Sequence, residues 1–302
     1  MDIALVGKGA LGLLFGSIAQ EHLGPEHAYF AMDDAHYEKH AQETYRINDV
    51  EIAFRDVRLS ECSPADVVLV CTKTLGFNEA LESMEPLVGA NTVIVPLLNG
   101  ITSERKAADR YGWDRVAACV AVGMDAERYG TSLAYSRTGQ LVIGALQPES
   151  APAAQRAATA LDAAGIPHSV DENILHRQWV KFMANVGVNQ VCAAYEVCYE
   201  ELFADPTSEP YRMLISTMRE VMATGKAEGV VLEEQDLNGY IEILRSLDPK
   251  SRPSTAQDVV NKTLTEVDEF AGEVIRIADK HAIEVPCNRF LLKRIRELEA
   301  AF

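Results

Sequence analysis

Ile3-Ala4-Leu5-Val6-Gly7-Lys8-Gly9-Ala10-Leu11-Gly12 joins four apolar residues of strand character to a glycine-rich turn, and residues 13–23 continue it with apolar side chains at helical spacing. Strand, G-x-G-x-x-G and helix in that order form a dinucleotide-binding fingerprint. Each glycine has its own physical role. Gly7 allows the tight turn, Gly9 lets the backbone approach a pyrophosphate, and Gly12 lets the helix pack close to the strand. Ala10 and Leu11 open the helix, whose unpaired N–H groups and positive dipole end suit a phosphate. A tight turn alone would also want glycines; the strand before and the helix after favour the nucleotide reading.

Outward from this turn, the chain is that of an ordinary folded protein with material for two domains: 302 residues, 48% apolar and 24% charged. A net charge of -17 argues against nucleic acid or an anionic membrane surface, which call for clustered Lys and Arg. No apolar run is long enough to span a bilayer and no basic leader precedes the first strand, so the expected location is cytoplasmic. Six scattered cysteines without a C-x-x-C pair read as reduced core residues. His36 and His40 share a helix face but lack a third ligand at a recognisable spacing, so no metal site is expected.

The first half alternates strand and helix: strands at 2–7, 28–33, 66–73 and 92–98, helices at 11–23, 77–88 and 102–111. That order predicts parallel strands joined by crossovers. Residues 46–59 suggest short antiparallel or irregular strands, 116–146 an antiparallel extension of the sheet, then a helix at 152–164 and a strand at 167–170. Beyond residue 170 the pattern is almost wholly helical: 172–192, 194–204, 209–228, 234–245, 256–259, 262–281 and 287–300. The expected architecture is an α/β Rossmann-type dinucleotide-binding domain over 1–170 followed by an all-α domain over 171–302 that carries substrate and catalysis.

Within the helix at 172–192, Lys181, Asn185 and Asn189 recur every four residues and so lie along one face. Their neighbours Val180, Phe182, Met183, Ala184, Val186 and Val188 are apolar, which suggests a buried helix whose polar stripe needs partners rather than a solvated face. Lys73 and Asn99 fall at the carboxyl ends of the strands at 66–73 and 92–98, where open α/β sheets bind ligands. Asn99-Gly100 is also a common turn pair. Ser254, after Lys250-Ser251-Arg252-Pro253, reads as loop or helix N-cap.

Taken together, these residues resemble the ketopantoate reductase family, whose members reduce 2-dehydropantoate with a nicotinamide dinucleotide. The landmarks are Gly7 to Gly12, Cys71-Thr72-Lys73, Leu98-Asn99-Gly100, the Lys181/Asn185/Asn189 helix, Pro253-Ser254 with Gln257-Asp258, and Thr265-Glu266-Val267-Asp268. The resemblance implies a Rossmann domain, a helical domain and an active site between them. It implies Lys181 as general acid, Asn99, Asn185, Asn189 and Ser254 as substrate ligands, and Glu266 as a partner of a substrate hydroxyl or of the lysine. It places Lys73 at the cleft for cofactor and substrate, and Asn99 beside the cofactor too.

At the end of the second strand stands Asp33-Asp34, where many NADPH-using members of that family carry arginine. A carboxylate there repels a 2′-phosphate and accepts ribose hydroxyls, which favours NADH over NADPH, unless Arg55 or Arg58 folds back. The leading reading is thus NAD(P)H-dependent reduction of a 2-keto acid, foremost 2-dehydropantoate to pantoate. Two rivals stand beside it: a D-2-hydroxy-acid dehydrogenase acting on another branched or aromatic 2-keto acid, and a non-catalytic dinucleotide-binding redox sensor. The apolar helical faces suit a homodimer interface or a monomer's core equally well.

Overall fold

β1 (Ile3–Val6), buried along its whole length, is the middle strand of a five-stranded parallel sheet in a computed structural model that describes residues 1–41 and 43–302. Beside it run β2 (Ala28–Met32), β5 (Asp56–Arg58), β6 (Val67–Val70) and β7 (Val93–Pro96), in the order β5-β2-β1-β6-β7. The sheet reverses its winding between β1 and β6, and a crevice opens there at the strands' carboxyl ends. Alternate strand residues feed two cores. Ile3, Leu5, Phe30 and Leu69 pack with Leu13, Leu14 and Phe15 of α1 (Ala10–Leu23) and Ala157 and Leu161 of α5 (Ala151–Ala163). Ala4, Val6, Val68 and Val70 pack on the other face with Phe77 and Leu81 of α3 (Phe77–Ser83) and Ala107 of α4 (Ser103–Tyr111). The fully buried Val, Leu, Ile and Phe side chains among these contribute about 1.5–3 kcal/mol each.

Three departures from the sequence reading concern pairings between distant segments. The stretch at 46–59 is not uniformly antiparallel: β3 (Tyr45–Ile47) and β4 (Val50–Ile52) form a hairpin, but β5 joins the main sheet parallel to β2, with Met32 opposite Arg58. The region 116–146 does not simply extend that sheet. β8 (Ala118–Val122) and β11 (Gln140–Gly144) pair antiparallel and, with β12 (His168–Val170), make a three-stranded sheet of their own, linked through a bridge from Ile94 to Val116. β9 (Glu127–Tyr129) and β10 (Ser132–Ala134) instead continue the hairpin as β4-β3-β10-β9. A further short helix, α2 (Asp34–His40), follows β2.

The chain divides into two compact units, Met1–Ile174 and Leu175–Phe302. The second is helical, as the pattern beyond residue 170 suggests: α6 (Ile174–Tyr195), α7 (Tyr199–Phe203), α8 (Glu209–Ala227), α9 (Glu234–Arg245), α10 (Ser254–Val260), α11 (Glu273–His281) and α12 (Pro286–Glu299). α6 runs on to Tyr195, where left-handed Glu196 (φ 56) ends it, so no helix begins at 194. The helix expected over 262–281 starts later: Lys262 is left-handed (φ 54), and a π-helical turn, Asp268–Gly272, leads into α11. Gly187 brings α6 against α8, since a Cβ there would lie 2.6 Å from the Met218 side chain.

The Glu220 carboxylate on α8 accepts the N–H groups of Cys287 (2.8 Å) and Asn288 (2.9 Å) and the Asn288 side-chain amide (2.7 Å) at the start of α12. Losing an acceptor for half-buried donors costs about 1–3 kcal/mol. Glu220→Ala should therefore lower Tm by several degrees in calorimetry, and an unchanged Tm would show that water replaces the carboxylate at no cost.

Candidate active site

The glycine turn lies at the β1/β6 crevice. Gly7 is left-handed (φ 102), and a Cβ on it would stand 2.8 Å from Thr72 N and 2.9 Å from the Cys71 carbonyl. A Cβ on Gly12 would lie 2.2 Å from the Gly7 carbonyl oxygen, and one on Gly9 3.0 Å from that of Cys71. The turn is thus pressed into the end of β6 and only glycine fits. Gly9 is the N-cap of α1 and offers no side-chain acceptor, and no acidic residue sits in the first turn at Ala10 and Leu11. Such a helix start presents N–H groups to an anion. Beside it the Thr72 hydroxyl oxygen is buried with no hydrogen-bond partner among the described residues. A glycine-only cradle, an uncapped helix start and an unpaired hydroxyl fit the pyrophosphate and ribose of a dinucleotide.

Asp33 follows β2 directly and is the N-cap of α2. Its Oδ1 accepts the His36 N–H at 2.9 Å and its Oδ2 lies 2.6 Å from His36 Nδ1. Partial burial pushes its carboxyl up, but these bonds outweigh it and hold the group below the usual carboxylate range. The acid is thus a fixed anion, and His36 is a partner the sequence reading missed, although Asp-x-x-His at a helix start is a local signal for it. Arg58, at the carboxyl end of β5, is bound by Asp34 (3.0 Å) and Glu38 and stacks over Tyr37 (4.3 Å). Arg55 lies at the other, amino end of β5, where it bonds the Glu26 carbonyl (2.9 Å) and side chain (3.1 Å). His40 is likewise engaged, with Glu43 at 2.9 Å, and no group of three metal-ligating side chains occurs among the described residues.

Lys73 is exposed just beyond β6, opening a short 3-10 turn, and Asn99 is half-buried just beyond β7. Both therefore sit past strand carboxyl ends, the edge that carries the glycine turn.

In the second unit, every residue from 181 to 190 is buried except Lys181 and Asn185. A lysine and an amide on consecutive turns are the half-buried positions of this stretch, whose residues 182–184 and 186–188 are buried and carry no polar side chain. Asn189, one turn further, is 5% exposed and donates its amide to the Ser254 hydroxyl at 3.4 Å. Ser254 is not the N-cap of α10: Pro253 holds that position and Ser254 is the first helical residue, so its hydroxyl is turned to Asn189 instead of a backbone N–H. Glu266 is half-buried, set between two anchored neighbours. Thr265 donates its N–H (2.8 Å) and hydroxyl (2.6 Å) to Glu299, and Val267 donates its N–H to the Thr265 hydroxyl (3.2 Å). After it, in the π turn, Ala271 donates its N–H to Gln190 Oε1 on α6 at 3.1 Å.

A Rossmann sheet with a glycine cradle, followed by a helical unit with a lysine and amide stripe, defines a dinucleotide-dependent oxidoreductase of two-unit build. The profile described as Ketopantoate reductase PanE/ApbA matches residues 3–148, and its C-terminal counterpart matches 173–299. The chain belongs to the ketopantoate reductase family of NAD(P)-dependent oxidoreductases. A 2-dehydropantoate 2-reductase of Streptococcus pyogenes is 27% identical over 78% of this chain and 76% of the relative. Among solved structures, a D-mandelate dehydrogenase with NADH and anilino(oxo)acetate is similar in fold at TM-score 0.87 and 21% identity, over 100% of this chain and 99% of the other. A PanE/ApbA family ketopantoate reductase from Ralstonia eutropha JMP134 matches at TM-score 0.82 and 24% identity, with the same coverage. Among the described residues, no helix is long and apolar enough to cross a membrane.

Proposed function

We propose that this protein reduces 2-dehydropantoate to pantoate, with NADH preferred. The dinucleotide, when bound, supplies the hydride. The observation that carries the proton side of the reading is that Lys181 and Asn185, one turn apart, are the half-buried positions of a helix stretch that is otherwise buried from 182 to 190. As hydride reaches C2 the carbonyl electrons move to oxygen, and the Lys181 ammonium gives its proton to that oxygen. Asn185, Asn189, Ser254 and Asn99 supply hydrogen bonds that hold the carboxylate and hydroxyl of the substrate. Glu266 accepts the substrate hydroxyl or steadies the lysine. Gly7, Gly9, Ala10, Leu11 and Gly12 hold the pyrophosphate, Asp33 the adenine ribose, and Lys73 and Asn99 the cofactor's far end.

The NADH preference rests on Asp33 as a fixed carboxylate and on Arg58 already bound by two others. A 2′-phosphate there meets like charge, which costs several kcal/mol when close and less when solvated. Purified enzyme with ketopantoate should show kcat/KM for NADH above that for NADPH by about tenfold or more. Asp33→Ser should shrink that ratio; equal turnover of both cofactors by the parent would sink the argument. The same assay run with phenylglyoxylate tests the rival: a D-2-hydroxy-acid dehydrogenase would turn over the aromatic keto acid faster than ketopantoate.

A further inference from the structure

The middle residue of the glycine turn departs from its neighbours by having a long, charged side chain, and that side chain is not in solvent. Lys8 Nζ lies 2.8 Å from the Asp56 carboxylate at the start of β5, with side-chain exposures of 7% and 3%. Three rings surround the ammonium: Tyr45 at 4.7 Å, Phe30 at 5.3 Å and Phe54 at 5.9 Å from their centroids. The Lys8 carbonyl is held as well, accepting the guanidinium of Arg128 on β9, which itself lies 5.9 Å from the Tyr45 ring. Phe30 belongs to the main sheet, Tyr45 and Arg128 to the small four-stranded sheet. Both the side chain and the main chain of one residue are thus tied down between two glycines that supply no side-chain contact of their own.

We infer that Lys8 is a positioning residue for the cofactor: its buried pair with Asp56 and its Arg128-bound carbonyl fix the glycine turn in its binding geometry before any dinucleotide arrives. A loop ordered in advance spares the ordering cost at binding, so the effect falls on cofactor affinity and not on the chemical step. The inference rests on the reading that this turn holds the pyrophosphate. A cation in an aromatic box could otherwise be plain core packing. The Arg128 contact argues against that, because it holds the turn's backbone as well and comes from an exposed side chain.

Steady-state kinetics and direct NADH titration on Lys8→Met and Arg128→Gln test the inference. Lys8→Met should raise KM and Kd for NADH by about tenfold or more, with kcat at saturating NADH and KM for the keto acid within about twofold of the parent. Arg128→Gln, an exposed change that leaves the buried pair intact, should raise the NADH KM by a smaller factor of about threefold and keeps the test decisive if Lys8→Met does not fold. Parental NADH affinity in folded Lys8→Met, or in Arg128→Gln when Lys8→Met does not fold, overturns the inference. So does a loss confined to kcat. A parent that binds neither NADH nor NADPH overturns the pyrophosphate reading itself, a result distinct from either.

Discussion

Lys181→Met should lower kcat for keto-acid reduction by about 10²- to 10⁴-fold while leaving NADH affinity nearly unchanged, because general acid catalysis by a positioned group is worth that much. Methionine keeps an unbranched side chain of nearly the same length without the charge, so the loss would report the ammonium and not a cavity. Lys181→Arg sharpens the result. A guanidinium keeps the positive charge but does not give up its proton at working pH, so it should recover part of the substrate affinity and little of the rate. Retention of full activity in either variant would remove Lys181 from the mechanism. A parent enzyme that binds cofactor yet turns over no keto acid would favour the redox-sensor reading.

Gly12→Ala is the second large effect. The added methyl would stand 2.2 Å from the Gly7 carbonyl oxygen and 3.1 Å from the Cys71 Cβ. The first of these is backbone, so neither a rotamer change nor a small side-chain shift relieves it. Either the start of α1 lifts from β1 or the turn opens, and both move the N–H groups that face the pyrophosphate. Overpacking of this kind costs about 1–3 kcal/mol, equivalent to a roughly 5- to 150-fold weaker cofactor interaction if borne by the site. Fluorescence titration with NADH measures it. Gly76→Ala is the matched control, since a Cβ there meets nothing within 4 Å and its φ is negative; its affinity should equal the parent's. Parental affinity in Gly12→Ala would mean that the helix start does not contact the cofactor.

The amino-acid order makes legible whatever is local. The glycine spacing and the alternation of β1, β2, β6 and β7 with helices each lie within a few turns of chain, and the structure bears out both; the stripe of α6 is equally local and falls on one long helix. The pairings that escape such a reading are long-range and short: β3 meets β10 through Arg46 and Ile47 against Ser132 and Leu133, two residues a side, too few to carry a period. The Lys8–Asp56 pair escapes for a related reason. Its partners are 48 residues apart, and an apolar-looking neighbourhood gives no cue that a carboxylate will share it. Ser254, read as loop or cap because serine before a helix often caps it, is instead the first residue of α10, and only the distant Asn189 shows where its hydroxyl is used.

The π turn at Asp268–Gly272 begins two residues after Glu266, which sits in a bend just before the helix starts. A π turn closes its hydrogen bonds five residues back in place of four, so the N–H groups at this helix start are offset from the α-helical ladder that follows. α11 keeps Val274, Ile277 and Ala278 in the core, while Glu266 takes its place from the bend before that helix. Gln190 stabilises this offset by taking the N–H of Ala271. Without that acceptor a buried N–H of the turn would lose its partner, so the helix start that follows Glu266 hangs on one amide reaching over from α6.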